Sequence, residues 1–189
     1  MIVYLHGFRS SPHSNKAQRL KAHMEALGLG HQFWCEQLPP SPRAAIALAE
    51  RQIAVSVTPV TVVGSSLGGY YATHLAEKHR LRAVLVNPAV VAHLSLAEFV
   101  GAQTNLYSGE TFNFKPEYID ELRSIEVPRI SRPQDFLLLA ETGDEVLDYR
   151  LAVAKYAGCR QVVLEGGDHS FTRWPDYLDE VLRFAGLSA

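Results

Sequence analysis

The chain has only two cysteines in 189 residues, and Cys35 and Cys159 lie far apart and match no metal or redox spacing. Both are read as reduced packing residues of a cytosolic protein rather than as a disulfide or a reactive thiol. Neither sign of charge is in marked excess. The formal net charge is −2, with no basic block and no acidic tail, so there is no electrostatic reason to expect nucleic acid or membrane lipid as a partner. No apolar run approaches the roughly 18 residues of a membrane span, so none is expected. The N-terminus MIVYLHGF lacks a positively charged leader, an apolar core and a small-residue cleavage site. It reads as a strand that starts at once, which implies no signal peptide and a cytoplasmic location. There is no internal repeat and no low-complexity segment. What remains is a length that suits one domain with a sizeable core. Hydrophobic residues make up 47% and charged residues 20%, as in a soluble globular protein.

Apolar runs alternate with helical periodicity along the chain. Strands are predicted at Ile2–Leu5, His31–Cys35, Val60–Val63, Ala83–Val86, Asp135–Ala140 and Gln161–Leu164. Helices are predicted at Asn15–Leu27, Arg43–Val57, Leu67–His79, Leu147–Tyr156 and Trp174–Phe184. Within the first, Ala17, Leu20, Met24 and Leu27 keep helix spacing, and Gly28 is a natural stop. Strand–helix alternation implies parallel strands joined by crossovers. The strands are continuous apolar runs, as expected when both sheet faces are covered. The fold class is therefore α/β, a three-layer α/β/α sandwich on a mostly parallel sheet of about six strands. Val91–Arg132 breaks the pattern; it contains no convincing strand and is expected to form two short helices and loops. Ligands of an open α/β sheet collect at the C-terminal ends of the strands, so chemical residues should follow the strands directly.

After the Val60 strand comes Gly64-Ser65-Ser66-Leu67-Gly68, a G-x-S-x-G pentapeptide. This is the pattern of a nucleophile elbow, in which a serine sits on a sharp strand-to-helix turn that lifts its hydroxyl clear of the sheet. Residues two before and two after the serine approach closely and should be glycine. Centring on Ser66 puts Gly64 and Gly68 there; centring on Ser65 puts Val63 and Leu67 there, which would clash. Ser66 is the candidate. A phosphate loop would need a Gly-Lys-Ser/Thr ending, and no lysine follows.

The other strand ends carry matching chemistry. His6-Gly7-Phe8-Arg9 follows the first strand. Gly7 lets the backbone approach an acyl group, and the N–H groups of Phe8 and Leu67 are placed to hold an oxyanion. His6 is read as structural. Asp144 follows the Asp135–Ala140 strand behind Gly143, and His169 follows the Gln161–Leu164 strand behind Gly166-Gly167. The bland readings are a turn-forming aspartate and a structural histidine. The order Ser…Asp…His at three strand ends favours a serine hydrolase. Ser66 attacks an acyl carbonyl, His169 is the base, and Asp144 fixes the imidazole tautomer. Asp168, Asp148 and Glu145 compete for the acid role. Asp168 neighbours His169 in sequence and is poorly placed to reach the ring, and Asp148 falls inside the predicted helix. No cofactor or metal is needed.

At this point the sequence resembles the YqiA-like small bacterial esterases of the α/β-hydrolase superfamily. The matching stretches are YLHGFRSSP, GSSLGGYYATHLAEK, VNPAV, ETGDEVLDYR and YAGCRQVVLEGGDHSF. The resemblance covers essentially the whole chain and implies a compact α/β-hydrolase fold lacking the N-terminal hairpin of larger relatives. It implies action on small-molecule acyl esters and, as a further option, acyl-CoA thioesters, with Ser66, Asp144 and His169 as the triad. It further implies one domain over 1–189, with 91–132 as a cap-like insertion. Leu94, Leu96, Phe99, Val100, Tyr107, Phe112, Phe114, Tyr118 and Ile119 of that segment are candidates either to line an acyl pocket or simply to pack. Tyr70 and Tyr71 are read as packing residues, and Arg9 and Arg123 as candidate contacts for an anionic group. The same fold also hosts C–C bond hydrolysis and perhydrolysis, and binding modules that have lost the chemistry; the intact Ser, Asp and His argue against the last.

Overall fold

A computed structural model describes residues 1–187. Its strands are β1 (Ile2–Leu5), β2 (Phe33–Trp34), β3 (Thr61–Ser65), β4 (Arg82–Val86), β5 (Gly101–Thr104), β6 (Thr111–Phe114), β7 (Phe136–Glu141) and β8 (Arg160–Leu164). Its helices are α1 (Asn15–Ala26), α2 (Pro42–Val55), α3 (Leu67–His79), α4 (Ala92–Ser95), α5 (Glu117–Ser124), α6 (Tyr149–Lys155) and α7 (Leu178–Ala185). Six strands form one wholly parallel sheet in the order β2-β1-β3-β4-β7-β8. The α/β sandwich expected from strand–helix alternation is the fold observed.

Alternate residues of each strand feed different cores, because successive side chains point to opposite sheet faces. Ile2 and Tyr4 pack with Val63, Val84, Leu137 and Leu139 against α1 and α7. Val3 and Leu5 pack with Val62, Leu85 and Leu138 against α2, α3 and the 92–124 region. Strands β3 and β7 are buried at every position, which is why Val62-Val63 and Phe136–Ala140 read as apolar without alternation. In α1 the buried residues are Ala17, Leu20 and Met24. Leu27 caps the helix and is exposed, and Gly28 at φ 73° stops it through an N–H bond to Glu25 O.

Several boundaries differ from expectation for local reasons. Of His31–Cys35 only Phe33 and Trp34 pair with β1, because a 3₁₀ turn occupies Gly30–Gln32. Helix α6 begins at Tyr149, since Asp148 is its cap and accepts from Arg150 N; Asp148 is not inside the helix. Trp174–Tyr177 is a 3₁₀ turn before α7, opened by Pro175.

The larger correction lies in Val91–Arg132, where no strand was expected. Between α4 and α5 the chain forms an antiparallel hairpin, with Gly101 opposite Phe114 and Thr104 opposite Thr111. Each strand has four residues, and GAQT offers no large apolar side chain, so no alternating pattern reaches a legible length. The hairpin is held from outside: the Phe8 ring packs edge-on against Phe112 and Phe114, with centroids 6.1 and 5.1 Å apart. Among the described residues no helix is long and apolar enough to cross a membrane.

Candidate active site

The parallel strands end on one side of the sheet, and the turns after β1, β3, β7 and β8 converge there. At the end of β3 the backbone of Ser66 is held at φ 56° and ψ −121°, a sparsely populated conformation for a residue with a side chain. Neighbouring backbone fixes it: Ser66 N–H donates to Val86 O, and its carbonyl accepts from Gly69 N and Ala89 N, at 2.9–3.0 Å. The two elbow glycines are required by space. A Cβ on Gly64 would overlap the Gly68 carbonyl, and one on Gly68 would overlap Leu5 O at the end of β1. Ser65, the alternative centre, is the buried last residue of β3.

The structure brings Ser66, His169 and Asp144 together although they are far apart in sequence. His169 Nε2 lies 3.0 Å from Ser66 Oγ, and His169 Nδ1 lies 2.8 and 2.9 Å from the two Asp144 oxygens. A carboxylate only accepts, so Nδ1 carries the ring hydrogen and Nε2 accepts from the serine hydroxyl. The Asp144 side chain is 1% exposed and the His169 side chain 21%. The acid is thus shielded from water, while the imidazole is reachable from outside. Asp144 is also the turn former of the bland reading: its Oδ1 accepts from Val146 N and Leu147 N. Of the rival acids, Glu145 accepts from the His169 backbone N–H, which holds its carboxyl below the ordinary range. Asp148 caps α6, and Asp168 makes no hydrogen bond to the ring.

Gly7 packs directly on the elbow; a Cβ there would sit 3.3 Å from Ser66 Cβ. Among the described residues neither Phe8 N–H nor Leu67 N–H donates to a protein acceptor. Arg9, in the left-handed region at φ 57°, donates from Nε to Thr104 O of the hairpin. Arg123 pairs with Asp120 on the surface of α5. Tyr70 is buried and donates to Leu122 O. Cys35 and Cys159 are free and half-buried, and burial pushes their thiols up to about 12 and about 11. Among the described residues no group of three or more His, Cys, Asp or Glu side chains is arranged to hold a metal ion.

His6 is buried beneath this region. Its Nε2 accepts from Leu38 N at 3.0 Å and its Nδ1 donates to Gly7 O at 3.0 Å. Burial holds it neutral, with a pKa lowered from 6.5 to about 4. The unfolded chain therefore takes a proton first as the pH falls. The stability tied to neutral His6 is full above about pH 6.5 and lost as the pH drops toward 4, by about 2–3 kcal/mol. Urea unfolding at pH 7 and 4.5 is expected to show this loss, and His6→Gln to flatten it. Parallel pH profiles for the two proteins would contradict the assignment.

The sequence reading missed the residues that hold the histidine loop. Glu141, wholly buried at the end of β7, accepts from Asp168 N at 2.8 Å and from Arg173 Nε at 2.7 Å. Arg173 also donates to Glu165 O, and Asn87 Nδ2 donates to Asp168 O and His169 O. A Cβ on Gly167, at φ 75°, would overlap the Glu141 carboxylate. The available signal was a charged residue closing the apolar run FLLLAE. Breaking a buried ion pair from one side strands the remaining charge. Arg173→Met is therefore expected to destabilise the protein by about 3 kcal/mol in chemical denaturation, and Glu141→Gln in that background to restore part of the loss. Lys16, at the start of α1, was also missed; its Nζ donates to Ser170 O at 2.7 Å. Burial lowers its pKa, opposed by the carboxylates of Asp168, Asp144 and Glu141.

The sheet order, the elbow and the strand-end turns define an α/β-hydrolase fold, and solved structures match it throughout. Alpha/beta hydrolase domain-containing protein 10 from mouse superposes with a TM-score of 0.69 at 16% identity, covering 99% of this chain and 90% of that one. Est1E from Butyrivibrio proteoclasticus, solved with ferulic acid bound, gives 0.68 at 15% identity, covering 97% and 86%. The monoacylglycerol lipase of Paleococcus ferrophilus gives 0.68 at 16% identity, covering 99% and 94%. Within that fold the chain belongs to the uncharacterised protein family UPF0227, whose model matches residues 1–186. This is the YqiA-like family that the sequence resembles.

Proposed function

We propose that this protein is a serine hydrolase that cleaves small carboxylic acyl esters, and acyl thioesters by the same route, through an acyl-enzyme on Ser66. The observation that carries this reading is the unbroken hydrogen-bonded chain from Ser66 Oγ through His169 to Asp144, at 3.0 and 2.8 Å. That fold relatives include an alpha/beta hydrolase domain-containing protein and a monoacylglycerol lipase agrees with it.

In the acylation half, Ser66 Oγ bonds to the carbonyl carbon as its proton passes to His169 Nε2. The negative charge developing on the carbonyl oxygen is met by the Phe8 and Leu67 N–H groups; such a donor is typically worth ~10²–10³ in turnover. The bond from carbon to the leaving oxygen or sulfur then breaks, and His169 gives that atom the proton. In the second half His169 takes a proton from water, whose oxygen bonds to the acyl carbon, and returns it to Ser66 Oγ as the acid departs. Asp144 keeps the ring in the required tautomer and stabilises the imidazolium. The segment 91–132 serves as the cap over this site.

Product partitioning tests the acyl-enzyme. Two esters with the same acyl group but different leaving groups are hydrolysed in the presence of methanol. A shared intermediate requires the same ratio of methyl ester to free acid from both. A ratio that depends on the leaving group would contradict it.

A further inference from the structure

The β5–β6 hairpin stands between two cavities. The larger, about 520 Å³, is lined by Phe8, Leu38, Leu67 and Tyr71, with Thr111 and Phe112 of β6 on its hairpin side. A volume of this size takes a drug-sized group. The smaller, about 240 Å³, contains Ser66 and His169 together with Lys16, Ser170 and the hairpin turn residues Leu106 and Tyr107. These turn side chains stay 68% and 50% exposed at the cavity mouth. The hairpin is fixed to the turn after β1 by three hydrogen bonds: Arg9 Nε to Thr104 O at 3.0 Å, Leu106 N to Arg9 O at 2.8 Å, and Asn105 Nδ2 to Ser10 O at 2.9 Å. Asn105 Oδ1 closes the turn by accepting from Tyr107 N and Ser108 N.

Resting on the proposed ester hydrolysis, we propose that this hairpin reads both halves of the substrate, the acyl group with β6 and the leaving group with its turn. Proton delivery fixes the sides. The leaving atom must face His169 Nε2 to be protonated, which places the leaving group in the smaller cavity. The carbonyl oxygen faces the Phe8 and Leu67 N–H groups; Phe8 lines both cavities, and Leu67 lines the larger one and not the smaller. The acyl chain therefore runs into the larger cavity, above the ends of β1 and β2 and away from β7 and β8, which carry Asp144 and His169. The acyl group is larger than acetyl, and Thr111 and Phe112 bound it. Arg9 acts by anchoring this wall, since its Nε is engaged with Thr104 O.

The test uses two substitutions and two ratios of kcat/KM. Thr111 is exposed on a strand, so Thr111→Trp narrows the larger cavity in a conformation that suits an aromatic residue. It is expected to lower the ratio of p-nitrophenyl octanoate to p-nitrophenyl acetate roughly tenfold. The ratio of p-nitrophenyl acetate to 1-naphthyl acetate should then stay within about twofold of wild type, because the leaving-group cavity is untouched. Tyr107→Ala is expected to move the second ratio roughly threefold or more and leave the first in place. Neither ratio moving in either variant, or the two variants exchanging effects, would overturn the assignment while leaving ester hydrolysis intact. A wild-type protein inert towards all three esters would overturn the hydrolase reading and this one with it.

Discussion

Ser66→Ala is expected to lower kcat for p-nitrophenyl esters by about 10⁶-fold, the loss typical of removing the nucleophile from a hydrolase that works through a serine triad. The fold should survive. The hydroxyl makes one hydrogen bond, to His169 Nε2, and the elbow is held by the Ser66 backbone N–H and carbonyl, which the substitution keeps. Unfolding free energy should change by less than about 1 kcal/mol. Steady-state kinetics and urea denaturation on the same preparation separate the two quantities. A variant that keeps turnover within tenfold of wild type (about 1.4 kcal/mol in the barrier) would remove Ser66 from the chemistry.

Asp144→Asn is expected to lower kcat by about 10⁴-fold with little change in stability. The reason lies in which atoms of residue 144 do what. Oδ1 accepts from Val146 N and Leu147 N, and an asparagine oxygen can keep both bonds. The amide nitrogen then takes the place of Oδ2 and presents N–H donors to His169 Nδ1. That nitrogen must now accept, so the ring hydrogen moves to Nε2, and the serine proton loses its acceptor. Asp144→Ala, by contrast, loses the turn bonds as well and should cost both turnover and stability. Wild-type turnover in Asp144→Asn, with only Asp144→Ala impaired, would mean that residue 144 matters only as a turn former.

The fold was legible where burial was complete. β3, β4 and β7 are long, apolar and covered on both faces, so their residues alone announce them. The steric argument that chose Ser66 over Ser65 was legible too, because two glycines flank only the second serine at the right distance, and both are packed against backbone. What escaped notice was whatever is stabilised from a distance. The hairpin gets its apolar support from Phe8, roughly a hundred positions earlier in the chain, and its anchoring from Arg9 and Ser10. Glu141, Asn87 and Arg173 form a network whose members lie on three different elements. Each alone looks like a strand end or a surface charge, and only their meeting shows that they hold the loop carrying His169. Of the nine apolar residues considered for an acyl pocket, Phe112 lines the larger cavity and Tyr107 the smaller, while Leu96 and Phe114 are buried as packing.

The most direct measurement is covalent labelling with a fluorophosphonate followed by peptide mass spectrometry, with fragment ions that separate Ser65 from Ser66. The arrangement of Ser66, His169 and Asp144 predicts one adduct per chain, on Ser66, formed much more slowly in His169→Ala. An adduct on Ser65 or on any other residue, or no adduct with the native protein, would contradict it.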